Sequence, residues 1–127
     1  MSSNLYLGLG VVSTIISTVS WLQYYSYSGS NMLIGSEAKE MIKEGKINKI
    51  IDVRTLMEYR SGRYPGAIHI PLGDFSENNR ILKSLNKNDS YVVYCNTGQR
   101  ARRARELMVG YGFTNVYYLS DSYQNMF

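Results

Sequence analysis

The one cysteine of this chain, Cys95, closes the apolar stretch Tyr91-Val92-Val93-Tyr94 and opens the run Cys95-Asn96-Thr97-Gly98-Gln99-Arg100. A thiol attacks as its thiolate, which helix N-termini and neighbouring cations favour. Both are expected here. From Arg100 onward Ala101, Ala104, Leu107, Met108 and Tyr111 recur at helical spacing, and Gly110 and Gly112 mark the stop. Gly98 lets the backbone curl with no Cβ in the way, and Arg100 offers a planar fork to an oxyanion. These residues describe a nucleophile at the end of a strand, in a loop whose amides point inward ahead of a helix. Such loops bind anions. The bland alternative is a buried structural cysteine.

Two further stretches accompany the loop. One is Ile50-Ile51-Asp52-Val53-Arg54 followed by Glu58, and the other runs from Gly62-Arg63-Tyr64-Pro65-Gly66 through Ala67-Ile68-His69-Ile70-Pro71. With the Cys95 loop and the later Tyr111-Gly112-Phe113 turn leading into Val116-Tyr117-Tyr118-Leu119, they resemble the rhodanese (sulfurtransferase) family from about Met32 onward. The chain resembles in particular the single-domain phage-shock type, whose loop also begins Cys-Asn-x-Gly. Four residues separate Cys95 from Arg100, which is similar to the sulfurtransferase loop; phosphatases and arsenate reductases of this fold insert one more.

The resemblance implies a ping-pong reaction in which the Cys95 thiolate takes the outer sulfur of a small anionic donor such as thiosulfate. A thiol acceptor, or cyanide, then removes it. It also implies that the amides of Asn96, Thr97, Gly98 and Gln99 stabilise the persulfide and that Arg100 holds the donor's anionic end. Asp52, Arg54 and Glu58 are expected to brace the active loop, with Glu58 as partner for Arg54. No metal or organic cofactor is called for. Arg63 stands where many relatives carry histidine. His69 has no cysteine or carboxylate motif around it, so a satisfied structural role is expected rather than metal binding.

Strands alternating with helices must position these residues. Met32-Leu33-Ile34 reads as a first strand and Ser36 as the N-cap of a helix carrying Ala38, Met41 and Ile42 up to Gly45. A strand at Lys49 to Val53, a short helix near Thr55 to Arg60, a turn at Pro65-Gly66, a strand near Ala67 to Ile70 and a helix around Phe75 to Leu85 lead to the Cys95 strand. The expected fold class is α/β, rhodanese-like, with a mostly parallel central sheet, helices on both faces, and a ligand site beyond the strands' C-terminal ends. On the helix after the loop, Arg102, Arg103 and Arg105 read as a solvated face with Glu106 as partner. A net charge of +4 with no nucleic-acid motif argues against a nucleic-acid partner.

Charge divides the chain. The first charged side chain is Glu37, and residues 5–27 are Leu-, Val-, Ile- and Tyr-rich, long enough as a helix to cross roughly 34 Å. Trp21, Tyr24, Tyr25 and Tyr27 cluster at its end as an interfacial belt does. No basic residue precedes the segment and no alanine occurs before Ala38, so an uncleaved anchor is favoured over a signal peptide. The expected organisation is an N-terminal hydrophobic anchor and linker over 1–31, with a single-pass transmembrane helix at 5–27, then a rhodanese-like domain over 32–127. Lys39, Lys43, Lys46 and Lys49 place that domain in the cytosol by the positive-inside rule. A lone cysteine excludes an intrachain disulfide and suits a reducing compartment.

Relatives follow the last strand with a Gly-Gly pair and a tryptophan. Here Ser120-Asp121-Ser122-Tyr123-Gln124-Asn125-Met126-Phe127 stands there instead, so a shortened cover is expected, with Tyr123 and Phe127 supplying apolar contact. The reading is a membrane-anchored sulfurtransferase. Its rivals are a catalytically idle, membrane-tethered rhodanese module that binds a partner protein, and a phosphatase or arsenate reductase on the same fold.

Overall fold

The computed structural model describes residues 31–127. Five strands form one sheet: β1 (Met32–Leu33), β2 (Lys49–Asp52), β3 (Ile68–His69), β4 (Ser90–Tyr94) and β5 (Asn115–Leu119). They lie in the order β1-β5-β4-β2-β3, and every neighbouring pair is parallel. The rhodanese-like α/β arrangement expected from the sequence is present, with the sheet wholly rather than mostly parallel. Parallel strands need crossovers, and helices α1 (Gly35–Lys43), α2 (Leu56–Ser61), α3 (Arg80–Ser84) and α4 (Gln99–Gly110) supply them.

β4 is central, and its alternation builds both cores. Tyr91 and Val93 face Leu82 of α3 and Ala101, Ala104 and Met108 of α4. Val92 and Tyr94 face the opposite side, with Ala38 of α1 and Met126 of a C-terminal 3₁₀ turn, Tyr123–Met126. A strand covered on both faces has no need of polar residues, which is why this one reads as a continuous apolar run. α2 buries no residue; it lies beyond the C-terminal ends of the strands, where the site is.

Several local expectations are corrected. The N-cap of α1 is Ile34, whose amide donates to Glu37 Oε1 at 3.0 Å, and Ser36 sits within the first turn. The long helix expected near Phe75 to Leu85 is a 3₁₀ turn at Leu72–Asp74 and the five-residue α3. Asn79 breaks it: its side chain caps α3 by accepting the Leu82 amide at 3.0 Å, so the helix starts only there. Arg105 is buried rather than solvated and donates from Nε to the Val116 carbonyl at 3.1 Å. It lies four residues after Ala101 and three before Met108, within the apolar stripe, and the small Ala101 and Ala104 leave room for its stem. Arg102 and Arg103 do face Glu106, at 3.7 and 3.5 Å.

The expected transmembrane segment, residues 5–27, lies outside the described residues. Among the described residues no helix is long and apolar enough to cross a membrane.

Candidate active site

Cys95 follows β4 directly, Gly98 caps α4 in the left-handed region at φ 94°, and the helix begins at Gln99. The backbone thus reverses within three residues and sets the first turn of α4 over the sulfur. Two backbone N–H groups donate to Cys95 Sγ, from Gly98 at 3.1 Å and from Ala101 at 3.3 Å. The first was among the amides expected to face the sulfur. The second was not. Ala101 is the third residue of α4, and its N–H is one of the four donors that a helix cannot satisfy internally, so the sulfur fills the place of a capping oxygen. Placing the helix start at Gln99 instead of Arg100 would have pointed to it.

The sulfur is also sealed. Cys95 has 0% exposure and packs with Val93, Ala101 and Ile70 in the core under α4. Two inward-facing amides and a buried thiol coexist, where the sequence had presented an amide-lined loop and a buried cysteine as alternatives. Among the other loop residues, Thr97 and Gln99 are exposed and Asn96 turns its side chain across the loop.

What Asn96 meets is Glu58. Asn96 Nδ2 donates to Glu58 Oε2 at 2.6 Å, while Arg100 Nη1 and Nη2 donate to Oε1 and Oε2 at 2.7 and 2.9 Å. The partner of Glu58 is therefore Arg100, not Arg54, and the guanidinium expected to wait for a donor is already engaged in a two-pronged pair. Glu58 is held ready by its own helix. Thr55 caps α2, its amide and hydroxyl each donating to Glu58 Oε1 at 3.0 Å, and the Glu58 amide donates back to Thr55 Oγ1 at 3.2 Å. This is a capping box, and Thr55-x-x-Glu58 was its readable signal in the sequence. The Arg100 bonds, chiefly, hold the Glu58 carboxyl well below the usual carboxylate range; partial burial opposes them and the Thr55 bonds add to them.

Beneath the loop, Asp52 and Arg54 form a second, buried pair. Asp52 Oδ2 accepts from Arg54 Nη2 at 2.8 Å and from the Tyr94 hydroxyl at 2.8 Å, and Oδ1 accepts the Arg54 amide at 2.9 Å. Burial first, and then the Asp52 carboxylate, push the Tyr94 phenol far above its ordinary value. The guanidinium carbon of Arg54 lies 4.9 Å from the Tyr123 ring centroid and 5.5 Å from that of Tyr94. Tyr123, from the C-terminal 3₁₀ turn, thus covers the arginine, and Phe127 packs at 5.4 Å from Tyr64. His69 Nε2 contacts the Arg54 carbonyl oxygen at 2.8 Å; a carbonyl only accepts, so Nε2 carries the proton. Its ring stacks on Tyr59 at 4.3 Å, and the Arg63 guanidinium carbon lies 4.2 Å from the Tyr59 ring centroid. Among the described residues no group of three or more His, Cys, Asp or Glu side chains gathers to hold a metal ion.

Beside the loop lies an open cleft of about 450 Å³, whose lining includes Arg54, Met57, Glu58, Asn96, Tyr123 and Gln124. Cys95 thus lies on two helix-terminal amides at the C-terminal edge of a parallel sheet, with the cleft beside its loop. The family profile described as Rhodanese-like domain matches residues 35–126. The chain belongs to the rhodanese-like domain family.

Relatives of this rhodanese domain include the thiosulfate sulfurtransferase PspE of Escherichia coli, 40% identical over 67 residues, 52% of this chain and 62% of PspE. The putative sulfur carrier protein YrkF of Bacillus subtilis is 33% identical over 78 residues, 61% of this chain and 40% of YrkF. The rhodanese domain therefore spans less than two thirds of either relative's length. Other relatives bear a different name, tRNA uridine(34) hydroxylase, and the match covers 27% of the one from Photorhabdus laumondii. Among solved structures, a rhodanese-like domain protein from Staphylococcus aureus superposes with a TM-score of 0.65 at 28% identity, over 76% of this chain and 91% of that one.

Proposed function

We propose that the chain is a sulfurtransferase that moves a sulfane sulfur through a persulfide on Cys95. The observation that carries this reading is the pair of backbone N–H groups, from Gly98 and Ala101, directed at Sγ. The relatives named as a sulfurtransferase and a sulfur carrier support it. In the first half-reaction the Cys95 thiolate attacks the outer sulfur of a donor such as thiosulfate. The S–S bond of the donor breaks, sulfite leaves with the electron pair, and Cys95 is left as a persulfide. In the second, an acceptor thiolate or cyanide attacks the outer sulfur and Cys95 departs as thiolate. The two amides meet the negative charge in both halves, as an oxyanion hole does. Asp52, Arg54 and Tyr94 keep β2 and β4 in register beneath the loop. The test is to incubate the full chain with thiosulfate, then with organic persulfides, and to seek one added sulfur by intact mass, with Cys95→Ser as control.

The sealed sulfur favours one second reading, a catalytically idle module that binds a partner protein. No added sulfur from any donor would establish it over the first.

We further propose that residues 5–27 tether the domain to a membrane as a single-pass helix, with the domain on the cytosolic side. The freedom of that segment from charge and its terminal aromatic cluster support this. Carbonate extraction tests it: retention in the membrane pellet is expected, and release into the soluble fraction removes the tether.

A further inference from the structure

Glu58 occupies the place that an anionic donor needs. A sulfonate reaching Cys95 would look for the Arg100 fork and the Asn96 amide, which stand at the two ends of the active loop. Both already donate to one carboxylate, at 2.6 to 2.9 Å. The cleft offers no replacement. Its charged lining consists of Glu58 itself and Arg54, and Arg54 is neutralised by the fully buried Asp52 at 2.8 Å. The rest of the lining is uncharged: Ser61, Ser122, Gln124, Tyr123 and a methionine, Met57, that is 79% exposed at the rim. A dianion entering this cleft meets two cations that are each already paired with a carboxylate. An uncharged molecule meets hydroxyls, amides and a thioether.

We propose that Glu58 determines specificity by excluding sulfonate-bearing donors, so that Cys95 is loaded by persulfides carried on an uncharged organic thiol. The inference rests on the sulfurtransferase reading and narrows its donor. The step balances without an outside oxidant. The Cys95 thiolate attacks the outer sulfur of R–S–S–H, the S–S bond of the donor breaks, R–S⁻ leaves, and Cys95–S–S–H remains. Nothing needs to bind Arg100, because the leaving group carries no oxyanion. Arg100 then need not exchange Glu58 for a donor oxyanion when the loop opens to expose the sulfur.

The experiment measures the second-order rate of sulfur loading on Cys95 in the full chain with two probes, thiosulfate and 2-hydroxyethyl persulfide, in wild type and in Glu58→Gln. The neutral amide keeps the shape but releases the cation. The thiosulfate rate, taken relative to that of the neutral persulfide, is expected to rise about tenfold in the variant, roughly the strength of one charge-assisted hydrogen bond. Sulfate, which transfers no sulfur, is expected to slow thiosulfate loading of the variant and not of the wild type. A residue that merely braces the loop would change both rates together, so an unchanged ratio overturns the proposal. Should Glu58→Gln fail to fold by circular dichroism, Glu58→Asp is read by the same ratio. Its carboxylate falls one methylene short of Arg100; a smaller rise supports the proposal and an unchanged ratio defeats it. Wild type that neither probe loads overturns the sulfurtransferase reading as well, before any variant is made.

Discussion

A Cβ built on Gly98 stands 3.0 Å from both the Cα and the carbonyl oxygen of Ser120, just past the end of β5. The loop that carries Cys95 thus lies flat against the neighbouring strand's exit, and Gly98 is there for two reasons at once. Its φ of 94° belongs to the left-handed region, and the backbone it touches cannot rotate away as a side chain could.

Gly98→Ala is expected to lower stability by more than the left-handed conformation alone explains, which is about 1–2 kcal/mol for an L residue. Gly66→Ala isolates that conformational part, since Gly66 has a φ of 80° with nothing within 4 Å of its Cβ position. Urea unfolding of both variants checks this, and equal losses would mean that the loop can move off Ser120. Because relieving the Ser120 contact must shift the backbone that carries the Gly98 amide to Sγ, Gly98→Ala should also slow sulfur loading, whereas Gly66→Ala should not.

The Asp52–Arg54 pair predicts a graded series. Asp52→Ala leaves a buried guanidinium with its main acceptor gone, and a loss of about 3–5 kcal/mol is expected. Tyr94→Phe removes one of the five hydrogen bonds to the same carboxylate, the others coming from Arg54, for a loss of about 1–2 kcal/mol. Combined, they should cost less than their sum, because Tyr94 has no carboxylate to meet once Asp52 is gone. Additive losses in a double-mutant cycle would show the two residues acting separately.

Sequence carried the strand order of events well, because β4 and β2 are covered on both faces and their apolar runs leave little choice. It carried the cysteine loop for a different reason: Gly98, the helix start and the thiol lie within a few residues of one another. It misjudged what is decided between distant segments. Glu58 and Arg100 are 42 positions apart, and nothing in either neighbourhood says that they meet rather than Glu58 and Arg54. Arg105 was misplaced because its charge outweighed its position on the helix stripe. The burial of Cys95 depends on how Ala101 and Ile70 close over it, which no local pattern encodes.

Glu58 makes stability depend on pH in a defined direction. Its carboxyl is depressed in the folded protein and ordinary, about 4.5, in the unfolded chain. The contribution is therefore fully present above the unfolded value and disappears as pH falls through that value toward the lower folded one. Glu58→Gln is expected to be less stable than wild type at pH 7 by about 1 kcal/mol, since the Arg100 side chain is 36% exposed and solvent screens the pair. The difference should begin to shrink as pH falls below about 4 and go on shrinking toward the lower folded value. A difference that stays constant from pH 7 to pH 3 would place the effect of Glu58 in packing or capping instead of in its charge.

The sealed sulfur makes its own prediction, which bears on both functional readings. With 0% exposure, Cys95 can react only when the loop lifts, so its alkylation is governed by the free energy of that local opening. Iodoacetamide should label native Cys95 at least about 100-fold more slowly than the unfolded chain, corresponding to an opening of a few kcal/mol. Releasing the Glu58 hold should raise that rate, because Asn96 and Arg100, the two ends of the loop, are then held less tightly. Dilute urea, below the unfolding midpoint, separates the possibilities: a rate that climbs with urea shows opening by partial unfolding, and a flat one shows a small hinge of the loop. A hinge is what a catalyst needs. Labelling of the native domain as fast as that of the unfolded chain would mean that the closed loop is not the resting state, and the role of Glu58 as its clasp would fall with it.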